Sequence, residues 1–315
     1  MKAFLIHKPG PLTTIQDAGR AGLRRYGIPP SGAMDQFSYR VANVLVGNPS
    51  GAAALEITLA GLALEALTPI LVAITGADLG AQRNDRAAPL WTTWTMERGD
   101  RLSFPKRVSG CRAYLAVRGG FDAPEFLGSR STFLKGRMGQ PLKANETLSA
   151  GGFLPPAGAL RRALPRHLRP AWSSQHAVRV ILGPQTASFT QRGLETFLGS
   201  AYSISPRSDR QGFRTEGPPI EHVGGPDIIS DPTPLGAIQV PGDGKPIVLH
   251  RDGQVTGGYA KIAKVIAADL DQFAQMMPGE ALRFRSVTRE EALALRTQAE
   301  QQTNVIVAMV EAQRG

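Results

Sequence analysis

Short apolar runs alternate with glycine- and proline-rich breaks along most of this 315-residue chain. In the order of the sequence, the clearest runs lie at residues 3–6, 55–59, 70–74, 91–95, 102–104, 112–117 and 178–182. Runs of this length, bounded by turn residues, are typical of β-strands. The chain also holds 35 glycines and 24 prolines, which fits many strands joined by tight turns. The pattern predicts a mainly β protein with a few short helices.

One stretch of the first half has helical spacing. Its apolar positions are Phe37, Val41, Val44 and Leu45. The carboxylate of Asp35 is suited to cap the first turn, and the glycine and proline after residue 46 end the pattern. We therefore predict a helix over 35–46.

Two local signals stand out in the second half. The runs 237–240 and 246–249 are separated by Pro-Gly and Asp-Gly pairs, which favour the tight turn of a hairpin. Thr288 and Glu291 have the spacing of a capping box, which predicts a helix after residue 288. Beyond residue 301 the pattern is ambiguous.

Four phrases of the first half return in the same order later in the chain. They begin at Gly10, Arg20, Ala77 and Gly99, and their echoes begin at Gly183, Arg210, Ala268 and Gly279. Chance matches would scatter in order and spacing, so the echoes predict two copies of one fold. We predict an N-terminal domain with an extension over 1–160, a second domain over 175–290 and a helical tail over 291–315.

The net charge is +10, but the basic residues are dispersed. One local run, containing Arg161, Arg162, Arg166 and Arg169, is broken by prolines and is typical of a linker between domains. No aromatic residues alternate with it, as stacking on bases would require. The charge therefore favours a solvated basic surface or an acidic protein partner over nucleic acid.

Cys111 is the only cysteine, so no disulfide within the chain is possible. The first residues are too polar for the core of a signal peptide, and charges interrupt the most apolar stretch, 59–80. We expect a cytoplasmic protein with no membrane partner.

The loop 27–35 carries the first candidate site. It leads into a helix N-terminus, where the N–H groups of Ser31, Gly32 and Ala33 could hold an anion. Arg20 and Arg24 could add forked hydrogen bonds to a carboxylate or phosphate. The alternative is a tight structural loop with surface arginines.

Two further loops of the second half are candidates. Arg210 and Arg214 belong to the echo of the Arg20 phrase, although Asp17 and Asp209 could instead hold their neighbouring arginines in surface ion pairs. The run 252–259 contains three glycines, which allow a ligand to approach the backbone closely, and offers Asp252 and Tyr259 as polar groups. A bulge between strands is the competing interpretation.

Common signatures of nucleotide binding and of serine or zinc hydrolases are missing from the sequence. The five histidines lack the spacing of metal ligands. No metal site is predicted.

The phrases 14–20, 27–35 and 40–49 resemble the family of 5-oxoprolinase C subunits, which is also described as the biotin-dependent carboxyltransferase or allophanate hydrolase subunit 2 family. The resemblance continues through 128–132, 208–214, 236–246 and 256–259. It implies two tandem cyclophilin-like β-barrel domains. Gln239 lies within one of these phrases and is added to the candidate residues.

The resemblance also implies an activity. Members open the lactam of 5-oxoproline to glutamate in a complex that uses ATP, with a B-type sister subunit of related fold and an A-type, barrel-shaped partner. Other relatives are the carboxyltransferase component of urea carboxylase, and some are regulators that antagonise a kinase inhibitor. Biotin, if used, would be carried by a separate chain, because no Met-Lys-Met attachment sequence occurs here.

We therefore expect one component of an enzyme complex, a cyclic-amide hydrolase, that is inactive alone and binds no covalent cofactor. The candidates for catalysis are Asp35, Asp252 and Tyr259. Those for substrate binding are Arg20, Arg24, Ser31, Gly32, Arg210, Arg214, Gln239, Gly257 and Gly258. We further hypothesise that the loops 27–35 and 252–259 face one cleft between the domains, where pockets tend to form.

Overall fold

The computed structural model describes residues 1–151 and 161–313, so the predicted domain end at residue 160 lies outside the described residues. The chain divides into two compact units. The first comprises Met1–Arg20, Ser31–Trp172 and Gln302–Gly315, and the second comprises Ala21–Pro30 and Ser173–Gln301.

The first unit is built on two antiparallel sheets. Its strands are β1 (Lys2–Pro9), β2 (Leu12–Gln16), β3 (Ala54–Thr58), β4 (Leu62–Ala66), β5 (Ile70–Asp78), β6 (Gln82–Arg83), β7 (Arg86–Ala87), β8 (Thr93–Met96), β9 (Arg101–Ser103), β10 (Ser109–Val117), β11 (Phe121–Asp122) and β12 (Thr147–Ala150). The order is β11-β12-β1-β4-β9-β6-β7 in the seven-stranded sheet and β2-β3-β10-β5-β8 in the five-stranded sheet. Buried residues from both sheets, such as Phe4, Leu64, Ile74 and Leu115, share one apolar cluster.

Helix α1 (Gln36–Leu45) covers the other face of the five-stranded sheet. Tyr39, Val41 and Leu45 pack in a second cluster with Ala73 and Tyr114 of β5 and β10, two strands of that sheet. The Asp35 carboxylate accepts a hydrogen bond from the Ser38 N–H at 2.9 Å, which satisfies one of the free donors of the first turn. The predicted helix and its cap are confirmed.

The second unit contains a closed seven-stranded barrel in the order β13-β20-β17-β18-β15-β14-β21. Its strands are β13 (Gln175–Leu182), β14 (Tyr202–Ile204), β15 (Gly212–Glu216), β17 (Ala237–Gln239), β18 (Ile247–Leu249), β20 (Lys261–Val265) and β21 (Ala281–Ser286). A separate two-stranded ribbon joins β16 (Asp227–Pro232) to β19 (Thr256–Tyr259). The predicted hairpin is confirmed, because Ile238 pairs with Val248 in antiparallel register.

The barrel closes through the parallel pair β13 and β21. Helix α2 (Gln191–Gly199) packs on β21, where Phe197 stacks on Phe284 with ring centroids 4.6 Å apart. A short helix, α3 (Leu270–Phe273), adds Phe273 to the core beside Phe213. The prediction of a mainly β protein is thus confirmed.

Helix α4 (Arg289–Glu311) is longer than the short helices expected. The capping box is confirmed: the Thr288 N–H donates to Glu291 and the Glu291 N–H donates to the Thr288 hydroxyl. The segment after residue 301, which the sequence left open, continues this helix to Glu311. Within the described residues, no helix is long and apolar enough to cross a membrane.

Within the arginine run after residue 160, Arg161 and Arg166 are exposed, whereas Arg162 packs against the first unit. Residues 161–172 belong to the first unit, where the Arg162 carbonyl accepts a hydrogen bond from the Thr93 N–H at 2.9 Å. The Arg162 guanidinium donates to the carbonyls of Val44 and Glu311, at the ends of α1 and α4. A cation at two helix C-termini is favourable for both dipoles.

The order of elements around the repeated phrases differs in one respect. Helix α1 follows the Arg20 phrase, whereas α2 precedes the Arg210 phrase. The Gly99 and Gly279 phrases each lead into a strand with an antiparallel partner, β9 with β4 and β21 with β14. The equivalence of the Arg210–Arg214 loop with the Arg20 loop stays a prediction.

Candidate functional site

A buried lysine lies at the start of β20 in the second unit. Only 3% of Lys261 is exposed, and it shares a strand face with the buried apolar residues Ala263 and Val265. Its Nζ lies 3.3 Å from Asp231 Oδ2 and forms no hydrogen bond within the described residues. A buried ammonium with unused donors is costly, which is typical of a group that binds a ligand oxygen.

Gln185 holds this ion pair in place from a neighbouring loop. Its side-chain Nε2 donates to Asp231 Oδ2 at 3.0 Å, and its Oε1 accepts from the Lys261 N–H at 3.2 Å. One amide therefore connects the carboxylate on β16 to the backbone of β20. Asp231 keeps 41% of its side chain exposed, so the pair is accessible from the carboxylate side.

A second amide group lies against the ribbon strand β19. In the β16–β19 register, Asp231 stands opposite Gly257. A Cβ atom on Gly257 would lie 2.4 Å from Gln239 Nε2, so any side chain at position 257 would displace the Gln239 amide. Gln239 is 2% exposed and its Oε1 accepts from Gln254 Nε2 at 3.0 Å. The lack of a side chain at Gly257 is thus tied to the position of a buried amide.

Thr233 links the surrounding loops. Its N–H donates to the Val255 carbonyl at 2.9 Å, and its hydroxyl donates to the Gln254 carbonyl. The carbonyl of Thr233 accepts from the Arg24 guanidinium, which belongs to the same unit. Burial lowers the pKa of Arg24 from its usual value. Arg24 thus brings a partly desolvated cation to the loop that carries Thr233.

Arg210 and Asp252 form a buried ion pair in the second unit. Arg210 Nε lies 2.9 Å from Asp252 Oδ2, and both side chains are about 5% exposed. The Asp252 N–H also donates to the Arg210 carbonyl at 3.0 Å. The backbone and side-chain contacts together fix the loop before residue 253. Arg214, by contrast, is exposed on β15.

The candidates of the first unit lie in a densely bonded loop. Arg20 is 2% exposed and donates to the carbonyls of Phe126 and Ser131. The Ala33 N–H, which the sequence assigned to an anion, instead donates to the Asp17 carbonyl at 3.0 Å. A Cβ on Gly32 would lie 2.9 Å from the Ala18 carbonyl, so this glycine permits a close backbone approach.

A buried carboxylate supports the end of the same loop. Glu56 Oε2 accepts from the Met34 N–H and from the Tyr114 hydroxyl, both at 2.8 Å. Burial, with the nearby carboxylates of Glu56 and Asp35, raises the pKa of Tyr114 well above its usual value. Tyr114 therefore stays protonated, and its oxygen also accepts from the Asp35 N–H. The backbone donors of Met34 and Asp35 are used within the unit.

Ser31 differs from its neighbours in this loop. It is fully buried, its φ is +52°, and its hydroxyl has no hydrogen-bond partner among residues 1–151 and 161–313. A serine in left-handed backbone with an unused hydroxyl is unusual, and such positions cluster at functional sites. Ser31 is therefore a first-unit candidate whose hydroxyl is not engaged by any described residue.

The structure thus groups the predicted residues by unit. Gln239, Gly257, Gly258 and Tyr259 lie on or beside the ribbon strand β19, and Arg210 contacts Asp252. Arg20, Ser31, Gly32 and Asp35 belong to the first unit. The shared cleft stays a prediction.

Among residues 1–151 and 161–313, no three His, Cys, Asp or Glu side chains come together as a metal site.

Lys261, Asp231 and Gln185 were not predicted from the sequence. One signal was present: strand alternation puts Lys261 on the same face as Ala263 and Val265, where a lysine is out of place. The contact with Asp231, 30 positions earlier, depends on the pairing of the ribbon and could not be inferred locally.

Known proteins are similar over most of the chain. The model of the carboxyltransferase domain, subdomain A and B, matches residues 26–286. The C subunit of 5-oxoprolinase from Escherichia coli (strain K12) is 38% identical over 295 residues, which cover 92% of this chain and 93% of that protein. The urea amidolyase of Lachancea kluyveri is 36% identical over 93% of this chain but only 17% of its own length. The crystal structure of the K. lactis urea amidolyase matches with a TM-score of 0.90 and 34% identity, over 97% of this chain and 20% of that one.

Proposed function

Because this chain belongs to the family of carboxyltransferase domains with subdomains A and B, we propose that it is the C subunit of an ATP-dependent 5-oxoprolinase complex. The chain matches nearly the full length of the E. coli protein of that description, but about a sixth of the urea amidolyase. The observation that carries the proposal is the buried Lys261 ammonium. Its Nζ lies 3.3 Å from Asp231 Oδ2 and donates no hydrogen bond within the described part of the chain.

The reaction requires that a stable amide be made reactive. Opening the lactam breaks amide resonance, and negative charge then develops on the carbonyl oxygen. A fixed ammonium in a poorly solvated site stabilises such charge without reorganising. We assign this task to Lys261. The amide groups of Gln185 and Gln239 offer donors and acceptors that match a lactam.

The substrate also carries a carboxylate. Arg24 is the cation that we assign to it, since burial has already removed part of its hydration and a guanidinium binds a carboxylate through two parallel hydrogen bonds. ATP would be bound elsewhere in the complex, because the chain has no phosphate-binding loop sequence. The chain alone is therefore expected to be inert towards 5-oxoproline.

The test compares two lysines of one strand. Lys261 is buried and Lys264 is exposed, three positions further along β20. The chain is reconstituted with the products of neighbouring reading frames and assayed for ATP-dependent glutamate formation. Lys261→Met should lower kcat on the order of 100- to 1,000-fold, as the loss of one preorganised donor does. Lys264→Met should not change it. Equal turnover in both variants would remove Lys261 from the site.

A urea carboxylase-type carboxyltransferase is the second candidate. It is favoured by the match to the urea amidolyase structure and by the amide-lined site, because urea presents the same kinds of donors and acceptors as a lactam. Biotin would then be supplied on another chain. The same reconstituted complex, given urea and a biotinylated carrier, distinguishes the two functions by the product formed.

A further inference from the structure

A tight turn in the first unit has an unexpected residue at its tip. Phe126 and Ser129 exchange two backbone hydrogen bonds, and the two residues between them, Leu127 and Gly128, have φ values of +54° and +77°. Hairpin turns of this kind favour Asn-Gly, because asparagine tolerates left-handed backbone better than leucine does. Leu127 is also 54% exposed. Neither backbone preference nor packing explains a leucine there.

A second turn follows at once and repeats the arrangement. Phe133 and Met138 exchange hydrogen bonds at 2.7 and 3.1 Å, and Leu134 between them is 40% exposed. Arg137 closes this turn with a φ of +54°. Two adjacent turns therefore each present an exposed leucine on a well-fixed backbone.

The segment that carries both turns, residues 126–143, is strongly basic. It contains Arg130, Lys135, Arg137 and Lys143 and no acidic residue. Beside it lies an open cavity of about 700 Å³, lined by Arg130, Arg137 and Lys143 and by apolar residues such as Leu142 and Leu148. Two acids, Asp122 and Glu146, also line it.

The two acids are already engaged within the unit. Asp122 lies 3.1 Å from Arg130, and Glu146 accepts from the Lys143 N–H at 2.9 Å. The surface thus combines exposed leucines, an excess of cations and a concavity with an apolar part. This combination is typical of a protein interface whose partner is acidic.

We propose that residues 126–143 bind an acidic surface on a different protein of the complex, one that places apolar side chains against Leu127 and Leu134. This inference rests on the proposed function, in which the chain works within a complex. Its support here is charge complementarity together with the apolar turn tips. Proteins similar to this chain are named as subunits or contain its fold as one part of a much longer chain.

The test uses a substitution that should maintain or raise thermal stability but weaken binding to the partner. Leu127→Asn relieves left-handed strain, so the variant should unfold at the same temperature as the unchanged chain or higher. If Leu127 contacts the partner, the same variant should bind the purified products of neighbouring reading frames on the order of tenfold more weakly, measured by biolayer interferometry. Arg137→Glu should weaken binding as well, and added salt should shrink that difference.

Val108→Asn is the control, because Val108 is 57% exposed in the same unit but lies outside the segment. It should bind like the unchanged chain. Unchanged affinity of Leu127→Asn and Arg137→Glu would overturn the proposal, as would a lack of binding by the unchanged chain. Lys261→Met tests the proposed function separately, since it should strongly lower turnover while the complex still assembles.

Discussion

The Nζ of Lys261 lies 3.3 Å from Oδ2 of Asp231, yet the two groups differ in their access to solvent. The lysine side chain is 4% exposed and the aspartate side chain 41%. The cation is therefore desolvated and fixed, whereas the carboxylate is partly hydrated. This asymmetry suits a site in which the ammonium interacts with a ligand and the carboxylate balances its charge.

The first prediction concerns the stability of that pair. Asp231→Asn leaves a buried ammonium without its counter-charge, so the free energy of unfolding should fall by about 1–3 kcal/mol. Lys261→Met should cost less, because methionine fills a similar volume and needs no hydration. In the double variant the loss due to Asp231→Asn should largely disappear. Denaturant unfolding of all four proteins measures this coupling, and strictly additive losses would show that the two side chains do not interact.

The second prediction uses neighbouring glycines of β19. A Cβ on Gly257 would lie 2.4 Å from Gln239 Nε2, whereas a Cβ on Gly258 would be 3.5 Å from its nearest neighbour, the Ile228 carbonyl. Gly257→Ala should displace Gln239 and lower kcat/KM of the reconstituted complex by at least about tenfold. Gly258→Ala introduces no such close contact and is the matched comparison. Its turnover should stay normal, which would remove Gly258 from the substrate-binding candidates. Loss of activity in both variants would mean that activity depends on the backbone of the β16–β19 ribbon rather than on the position of the Gln239 amide.

The sequence predicted the features that depend on neighbouring residues. The Asp35 cap and the Thr288–Glu291 capping box were predictable because their donors and acceptors lie three positions apart. The buried site was not, because Lys261, Asp231 and Gln185 meet only through the pairing of β16 with β19 and the packing of a distant loop. The barrel closure by parallel β13 and β21 is equally non-local.

A backbone donor that the sequence predicted for anion binding is already used within the fold. The Ala33 N–H is suitably placed for an anion in the local pattern, but the Asp17 carbonyl, 16 positions earlier, accepts it. Residue type and spacing indicate that a donor exists. They do not indicate whether the folded chain already uses it.

The third prediction separates Arg24 from Arg210. Arg210 is buried against Asp252, so Arg210→Ala leaves an unpaired carboxylate and should lower stability by about 3–5 kcal/mol. Arg24 donates to a carbonyl and is less buried, so Arg24→Ala should leave the fold intact. If it binds the substrate carboxylate, kcat/KM of the complex should fall about 30- to 200-fold, and Arg24→Lys should recover only part. Unchanged kcat/KM in Arg24→Ala would remove it from the site.

The last prediction concerns pH and a carboxylate of the first unit. Asp100 is 8% exposed, accepts from the Glu97 N–H at 2.7 Å and from the Asn84 amide at 2.6 Å, and lies 2.5 Å from Arg83. Burial alone would raise its pKa, but these three partners outweigh burial and hold the pKa below its usual value. A depressed pKa means that ionised Asp100 stabilises the fold above its unfolded pKa, about 4, and that this stability is lost as the pH falls through the folded pKa.

Asp100→Asn should therefore lower the free energy of unfolding by about 1–3 kcal/mol at pH 7 and by clearly less near pH 3. Denaturant unfolding at both pH values measures the difference, with Asp85→Asn in the adjacent exposed turn as the control that should change little at either. A deficit for Asp100→Asn that is the same at both pH values would show that the charge of Asp100 does not stabilise the fold.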